Sequence, residues 1–284
     1  MRRLFCCIFL LLTLLAACAC AESREITFLS RGIPVPATLT LPDGMHEPCP
    51  IVLMAHGHGG TRDENKGFIA IADALAQEGI GSIRMDFPGC GESEEDFTAN
   101  CLAAMKEDMR SAINFARSKL LAPQIGLFGY SMGGRVVLEL LAEGTNADAI
   151  ALLAPANDLG NLIETAFADF ETMYAAAKEN SFYPLTENEH LSPAWFEDLL
   201  RYEDPAASAA EAYSGPSLVI WAEDDYVVRP YVSAHVADVL GAQTYDATGK
   251  GHIYGFWLDE DPLRDRIADA AAQFFVRHLL YGKY

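Results

Sequence analysis

The chain is 284 residues long and 51% hydrophobic, with 40 acidic side chains against 20 basic ones and a formal net charge of −20. The length allows one large domain or two small ones, and the apolar content excludes a disordered or collagen-like chain. The acidity argues against a nucleic-acid binder, which needs clustered Lys and Arg, and it opposes contact with an anionic membrane unless a lipid or an inserted segment holds the protein there.

The first element in chain order is a leader. Arg2 and Arg3 precede an apolar run from Leu4 to Ala17 that only Thr13 interrupts. A bilayer asks for about 20 apolar residues, so the run is short for a membrane span and has the layout of a secretory signal peptide over residues 1–21. Two exits are open. Ala19-Cys20-Ala21 before Glu22 satisfies the small-x-small rule of ordinary cleavage, whereas Leu15-Ala16-Ala17-Cys18 resembles a lipobox, in which Cys18 is lipidated. The expectation is an exported protein, secreted or anchored through Cys18, with a mature domain over residues 22–284. Only Cys49, Cys90 and Cys101 belong to that domain, and they lack metal-ligand spacing.

The mature chain alternates strand and helix patterns. Glu25–Leu41 reads as two strands around Gly32, followed by a turn at Pro42-Asp43-Gly44. Ile51–Ala55 is a continuous apolar run, as expected of a strand buried on both faces. Gly67–Gly79 has helical spacing, Ile80–Phe87 is a strand, and Cys101–Leu121 a helix. A strand at Ile125–Gly129, a helix at Gly133–Gly144 and a strand at Ala149–Ala154 follow. Ser217–Trp221, Val232–Leu240, Ala242–Ala247 and Leu263–Leu280 continue the alternation. The pattern predicts an α/β fold with a mostly parallel sheet and helices on both faces. Residues 157–212 break it, with helical potential, no convincing strand and many aromatics. They are expected to form an inserted helical lid whose aromatics, Trp195 and Phe196 among them, line a pocket for substrate; a plain helical layer on the sheet is the alternative.

Three segments carry chemistry. Gly129-Tyr-Ser131-Met-Gly133 lies between a strand and a helix, where a serine on a tight turn projects from the strand end and small residues on either side make room. His56-Gly-His58-Gly-Gly60 follows a buried strand and can present backbone N–H groups. The amides of His58 and Met132 are the candidates for an oxyanion site, in which losing one donor typically costs ~3 kcal/mol. Two histidines without a third ligand do not make a metal site, and no metal or cofactor is expected.

A serine needs a base and, usually, a carboxylate to orient that base. Of seven histidines, His46 lies in a turn, His56 and His58 in the glycine loop, His190 in the insertion, and His235 and His278 in helices. His252 remains, in a glycine-flanked loop after a strand. For the acid, Glu223, Asp224 and Asp225 are all available after the strand Ser217–Trp221.

The chain resembles the α/β-hydrolase superfamily from about Glu25 onward. The order serine, acid, histidine is that of the fold, and Ala222-Glu-Asp-Asp225-Tyr-Val-Val228 matches the family's G-x-x-D-x-x-V pattern except at its first position, which selects Asp225. Ile26-Thr-Phe28, Pro36-Ala-Thr-Leu39, Met54-Ala-His-Gly57 and Arg84-Met-Asp-Phe-Pro-Gly-Cys-Gly-Glu-Ser93 resemble the cinnamoyl and feruloyl esterase group, as does the insertion with Leu191-Ser-Pro-Ala-Trp-Phe196. That group usually reads Asn-Gly-His-Gly where this chain has Pro88-Gly-Cys-Gly91, and often has an aromatic in place of His58. The resemblance implies a serine hydrolase acting on small-molecule carboxylic esters through Ser131, His252 and Asp225. A peptidase or acyltransferase uses the same triad, and a non-catalytic binding protein of the same fold would be expected to have a degenerate one.

Overall fold

A computed structural model describes residues 21–44 and 48–282. The leader with Cys18 and the turn with His46 lie outside the described residues. None of the described helices is long and apolar enough to cross a membrane.

Strands β1 (Glu22–Ser30) and β2 (Ile33–Leu41) form a hairpin, and β3 (Ile51–Ala55), α1 (Gly67–Gln77), β4 (Gly81–Met85) and α2 (Leu102–Lys119) follow. Then come β5 (Ile125–Tyr130), α3 (Met132–Ala142) and β6 (Ala149–Leu153). An insertion carries α4 (Leu159–Thr165), α5 (Phe170–Asn180), β7 (Tyr183–Pro184), β8 (His190–Leu191), α6 (Pro193–Leu199) and α7 (Pro205–Ala212). The chain closes with β9 (Ser217–Trp221), α8 (Pro230–Leu240), β10 (Gln243–Asp246) and α9 (Pro262–Phe275). The eight-stranded sheet has the order β1-β2-β4-β3-β5-β6-β9-β10. Pairing is antiparallel at β1–β2 and β2–β4 and parallel elsewhere.

Residue choice explains the layering. All residues of β3, β4, β5 and β6 are buried, because helices cover both faces and leave an apolar side chain no reason to alternate with a polar one. The outer strand β10 is mostly exposed and reads Gln-Thr-Tyr-Asp, a polar edge that discourages pairing with another chain. Strand β4 stops two residues before the Phe87 read from the sequence. Asp86 turns inward there to accept the amides of Arg62 and Glu92, and the Phe87 N–H is given to His56 Nε2 at 3.0 Å.

The insertion is tied to α3 by a buried cation. Arg135 donates from Nε to Glu139 Oε1 at 3.0 Å and from its two Nη atoms to the carbonyls of Ala156, Asn157, Leu199 and Tyr202. Lys106 adds a second cation on Glu139 at 3.0 Å and pairs with Glu143. The short ribbon β7–β8 is a strand pairing that the aromatic-rich sequence of the insertion did not announce.

Candidate active site

Parallel neighbours β3, β5, β6, β9 and β10 all deliver their carboxyl ends to one side of the sheet, where open α/β sheets bind ligands. Ser131 stands at the end of the central strand β5 with φ +52° and ψ −116°. A non-glycine residue held in such a region costs of order 1–3 kcal/mol, and the surroundings enforce it. A Cβ on Gly129 would stand 2.7 Å from the Gly134 Cα, and one on Gly133 would collide with the Ala55 carbonyl. Only glycines let α3 approach β5 and β3 this closely. The Ser131 N–H donates to the Leu153 carbonyl at 2.9 Å, and its own carbonyl accepts from Ala156 at 3.0 Å, which pins the turn.

The His252 Nε2 lies 3.0 Å from Ser131 Oγ, and its Nδ1 lies 2.8 Å from Asp225 Oδ2. With the carboxylate accepting from Nδ1–H, Nε2 is free to accept the serine hydroxyl proton. Asp225 is sealed at 0% side-chain exposure, while His252 keeps 13%. Oδ1 accepts the amides of Val227 and Val228 at 2.9 and 3.0 Å, and Oδ2 also accepts the Tyr254 hydroxyl at 2.9 Å.

The three neighbouring acids divide the work. Asp224 accepts the amides of Gly249 and Gly251 at 3.0 and 3.2 Å and so shapes the loop that carries His252. Glu223 takes the Trp221 indole N–H at 2.9 Å. Tyr130 locks the same loop from below by donating its hydroxyl to the His252 carbonyl at 2.6 Å.

The glycine loop after β3 faces this group. His56 is buried, with Nδ1 bonded to the Gly57 carbonyl at 2.8 Å and Nε2 accepting from Phe87, so both nitrogens are spoken for. Burial lowers its pKa to about 4 and keeps the ring neutral. The His58 ring is also driven down to about 4 by burial. Among the described residues neither of its nitrogens has a hydrogen-bond partner. Instead it sits edge-on among Phe97, Phe167 and Trp195, with ring centroids 5.6, 5.7 and 5.7 Å away. The His58 side chain thus serves as an apolar anchor in a residue that lines the cleft. The Met132 amide, at the first turn of α3, belongs to the N–H groups that a helix leaves without an internal acceptor.

A cleft of about 490 Å³ opens over these groups, lined by His58, Gly59, Gly60, Glu64, Tyr130, Ser131, Ala166, Val227, His252, Ile253 and Trp257. The volume suits a small ligand. Ser131, His252 and His58 meet at this cleft, with Asp225 directly behind His252.

Trp195 and Phe196 do not line it. Trp195 is 2% exposed, and both rings pack inside the insertion against Phe167, Phe170 and Tyr174. Large apolar rings gain most by full burial, and here the insertion spends them on its own core. Aromatic side chains that do line the cleft are Tyr130 and, from the histidine loop, Trp257, which is 67% exposed. The sequence reading did not find Trp257, Tyr254, Tyr130 or Glu64. Tyr130 directly precedes Ser131, and Tyr254 and Trp257 follow His252 closely, which were weak local signs; Glu64 meets the site only through the fold of its turn.

A family model of the alpha/beta hydrolase fold matches residues 50–198. An uncharacterized 31.7 kDa protein in the traX-finO intergenic region of Escherichia coli is 27% identical over 286 residues, covering 88% of this chain and 98% of its own. Among solved structures, Est1E of Butyrivibrio proteoclasticus with ferulic acid bound has a TM-score of 0.73 at 19% identity, over 90% of this chain and 99% of that one. The esterase domain of a Rhodothermus marinus protein has a TM-score of 0.65 at 18% identity, over 91% of this chain and all of that one. Such identities speak for shared architecture, and the family match covers more than half of the chain, Ser131 and its turn included: the protein belongs to the α/β-hydrolase family.

Proposed function

We propose that the protein is a serine hydrolase of carboxylic esters. The observation that carries this reading is the continuous hydrogen-bonded path from Ser131 Oγ through His252 to a sealed Asp225, open to a cleft at the serine and the histidine. Ser131 attacks the ester carbonyl while His252 Nε2 takes its proton, and Asp225 orients the ring and balances the imidazolium charge. The tetrahedral oxygen receives the N–H groups of His58 and Met132. The alcohol leaves with the proton held by His252, forming an acyl-enzyme on Ser131. Water, deprotonated by the same ring, then adds to the acyl carbon; the acid departs and the serine regains its proton.

The ligand-bound likeness to Est1E and the sequence resemblance to the feruloyl esterase group favour hydroxycinnamoyl esters, with short acyl esters as the second class to test. Purified protein and Ser131→Ala are assayed on 4-nitrophenyl esters and methyl hydroxycinnamates. Hydrolysis abolished by the substitution supports the reading; no turnover of either class, or an unaffected variant, overturns it. In this reading the enzyme works outside the cytoplasm, exported by residues 1–21 and held at a membrane where Cys18 is lipidated. The mass of the mature N-terminus tests that.

A further inference from the structure

One ionisable side chain inside the cleft has no part in the steps above. Glu64 is 7% exposed, lines the cleft with Ser131, and accepts the Gly57 N–H on Oε1 at 2.6 Å. A tight turn brings it there: the Glu64 N–H donates to the Thr61 carbonyl at 2.9 Å, and the Gly67 N–H to the Glu64 carbonyl at 3.0 Å. Glu64 and Asn65 both adopt left-handed backbone, at φ +41° and +59°, which non-glycine residues enter at a cost.

The fit against the glycine loop is close. A Cβ on Gly60 would collide with Glu64 Oε1, and one on Gly57 would come within 3.3 Å of it. Two residues on, the Lys66 N–H donates to the Phe256 carbonyl at 3.0 Å, in the segment that follows His252. Residues 61–66 therefore join the two loops that must face each other across the ester, one by a side-chain bond and one by a backbone bond.

We propose that Glu64 is a positioning residue that holds the Gly57–Gly60 backbone so that the His58 N–H stays aimed at the reacting oxygen, in register with His252. This rests on the ester-hydrolase reading. The loop needs such a hold because Gly57, Gly59 and Gly60 give it more freedom to lose than any other residues would, and an oxyanion donor works only when it is already oriented. Around the carboxyl stand Tyr130 from β5, Cys90 from the loop after β4, and His58 and His252 along the cleft; the carboxyl has no Lys or Arg partner among the described residues. Burial pushes its pKa up to about 7, against the pull of the Gly57 N–H. The carboxylate thus forms, and its bond to the loop strengthens, as pH rises through neutrality.

The test compares Glu64→Ala, which removes the acceptor, with Glu64→Gln, which keeps an oxygen but does not titrate. Glu64→Ala is expected to lose kcat by about ten- to hundredfold with KM within about twofold, at or below the roughly 10²–10³ that outright removal of an oxyanion donor costs. Glu64→Gln is expected to recover part of that loss. Its acid limb in log kcat/KM against pH should also be shallower, because one of two required deprotonations is gone. Amide hydrogen exchange supplies a readout that needs no turnover: Gly57–Gly60 should exchange about tenfold faster in Glu64→Ala while β5 is unchanged. Unaltered exchange overturns the proposal, and so does a loss confined to KM. If the wild type cleaves no ester, the esterase reading fails, and exchange alone decides whether Glu64 holds the loop.

Discussion

Two chains of charged groups run through the interior, and they end differently. The Arg135–Glu139–Lys106 group is saturated: Arg135 and Glu139 have 0% side-chain exposure, each guanidinium nitrogen of Arg135 has an acceptor, and Lys106 leads out to the partly exposed Glu143. Burial lowers the Arg135 pKa, opposed by Glu139, and the desolvation of such an ion, several kcal/mol, is tolerable only because nothing is left unsatisfied. The Ser131–His252–Asp225 group is saturated at the acid, where Asp225 meets four donors. At the other end it opens, on a serine held at φ +52° above a cleft. Complete satisfaction marks architecture; spare capacity at one exposed end marks chemistry.

If that distinction holds, substitutions in the two groups separate activity from stability. Ser131→Ala should reduce ester hydrolysis by about 10⁴-fold or more while leaving the thermal midpoint unchanged, and a variant that keeps its activity would show that the open end is not the reactive one. Arg135→Met should do the reverse, costing about 3–5 kcal/mol in urea denaturation because four carbonyls lose their donor and Glu139 is left with Lys106 alone. Activity per folded molecule should remain. Adding Glu139→Leu should restore part of the loss; a destabilisation under about 1 kcal/mol would mean that the cation does not hold the insertion to α3.

His58 tests the boundary between the two kinds of group, since it lines the cleft while its ring nitrogens are buried. His56 and His58 have folded pKa values of about 4 against an ordinary 6.5. Between those values the unfolded chain binds protons that the folded chain does not, so stability is full above 6.5 and is lost as pH falls towards 4. His58→Phe should remove that residue's share, at most roughly 3 kcal/mol. Denaturation midpoints measured near the two ends of this range should then differ less for the variant than for the wild type, and an equal difference would place the His58 ring in contact with water. The smallest effect is expected from Tyr254→Phe, which takes one of four donors from Asp225 and should lower kcat/KM about fivefold, the worth of about 1 kcal/mol.

The strands and the nucleophile turn were legible because their requirements are local. Ile51–Ala55 is buried on both faces and so reads Ile-Val-Leu-Met-Ala without alternation. Gly129 and Gly133 must lack a Cβ where α3 crosses β5 and β3, so the turn around Ser131 is written in five consecutive residues. The insertion was not legible in this way. Its aromatic content signalled burial, but whether Trp195 faced a ligand or His58, 137 positions earlier in the chain, depended on how α6 docked.

What the sequence by itself determined, then, is the alternating α/β architecture and the small set of residues with the right chemistry at strand ends. Residue type and local spacing encode backbone sterics, periodic burial and reactivity. The tertiary structure alone decided that Tyr254 and Tyr130 brace Asp225 and His252, that Trp257 rather than Trp195 stands at the cleft, and that Glu64 is folded back under Gly57. Each of these is a matter of about an ångström between groups whose placement local spacing does not fix. Hydrogen bonds form or fail over that distance, and only the packed arrangement of the sheet and its loops sets it.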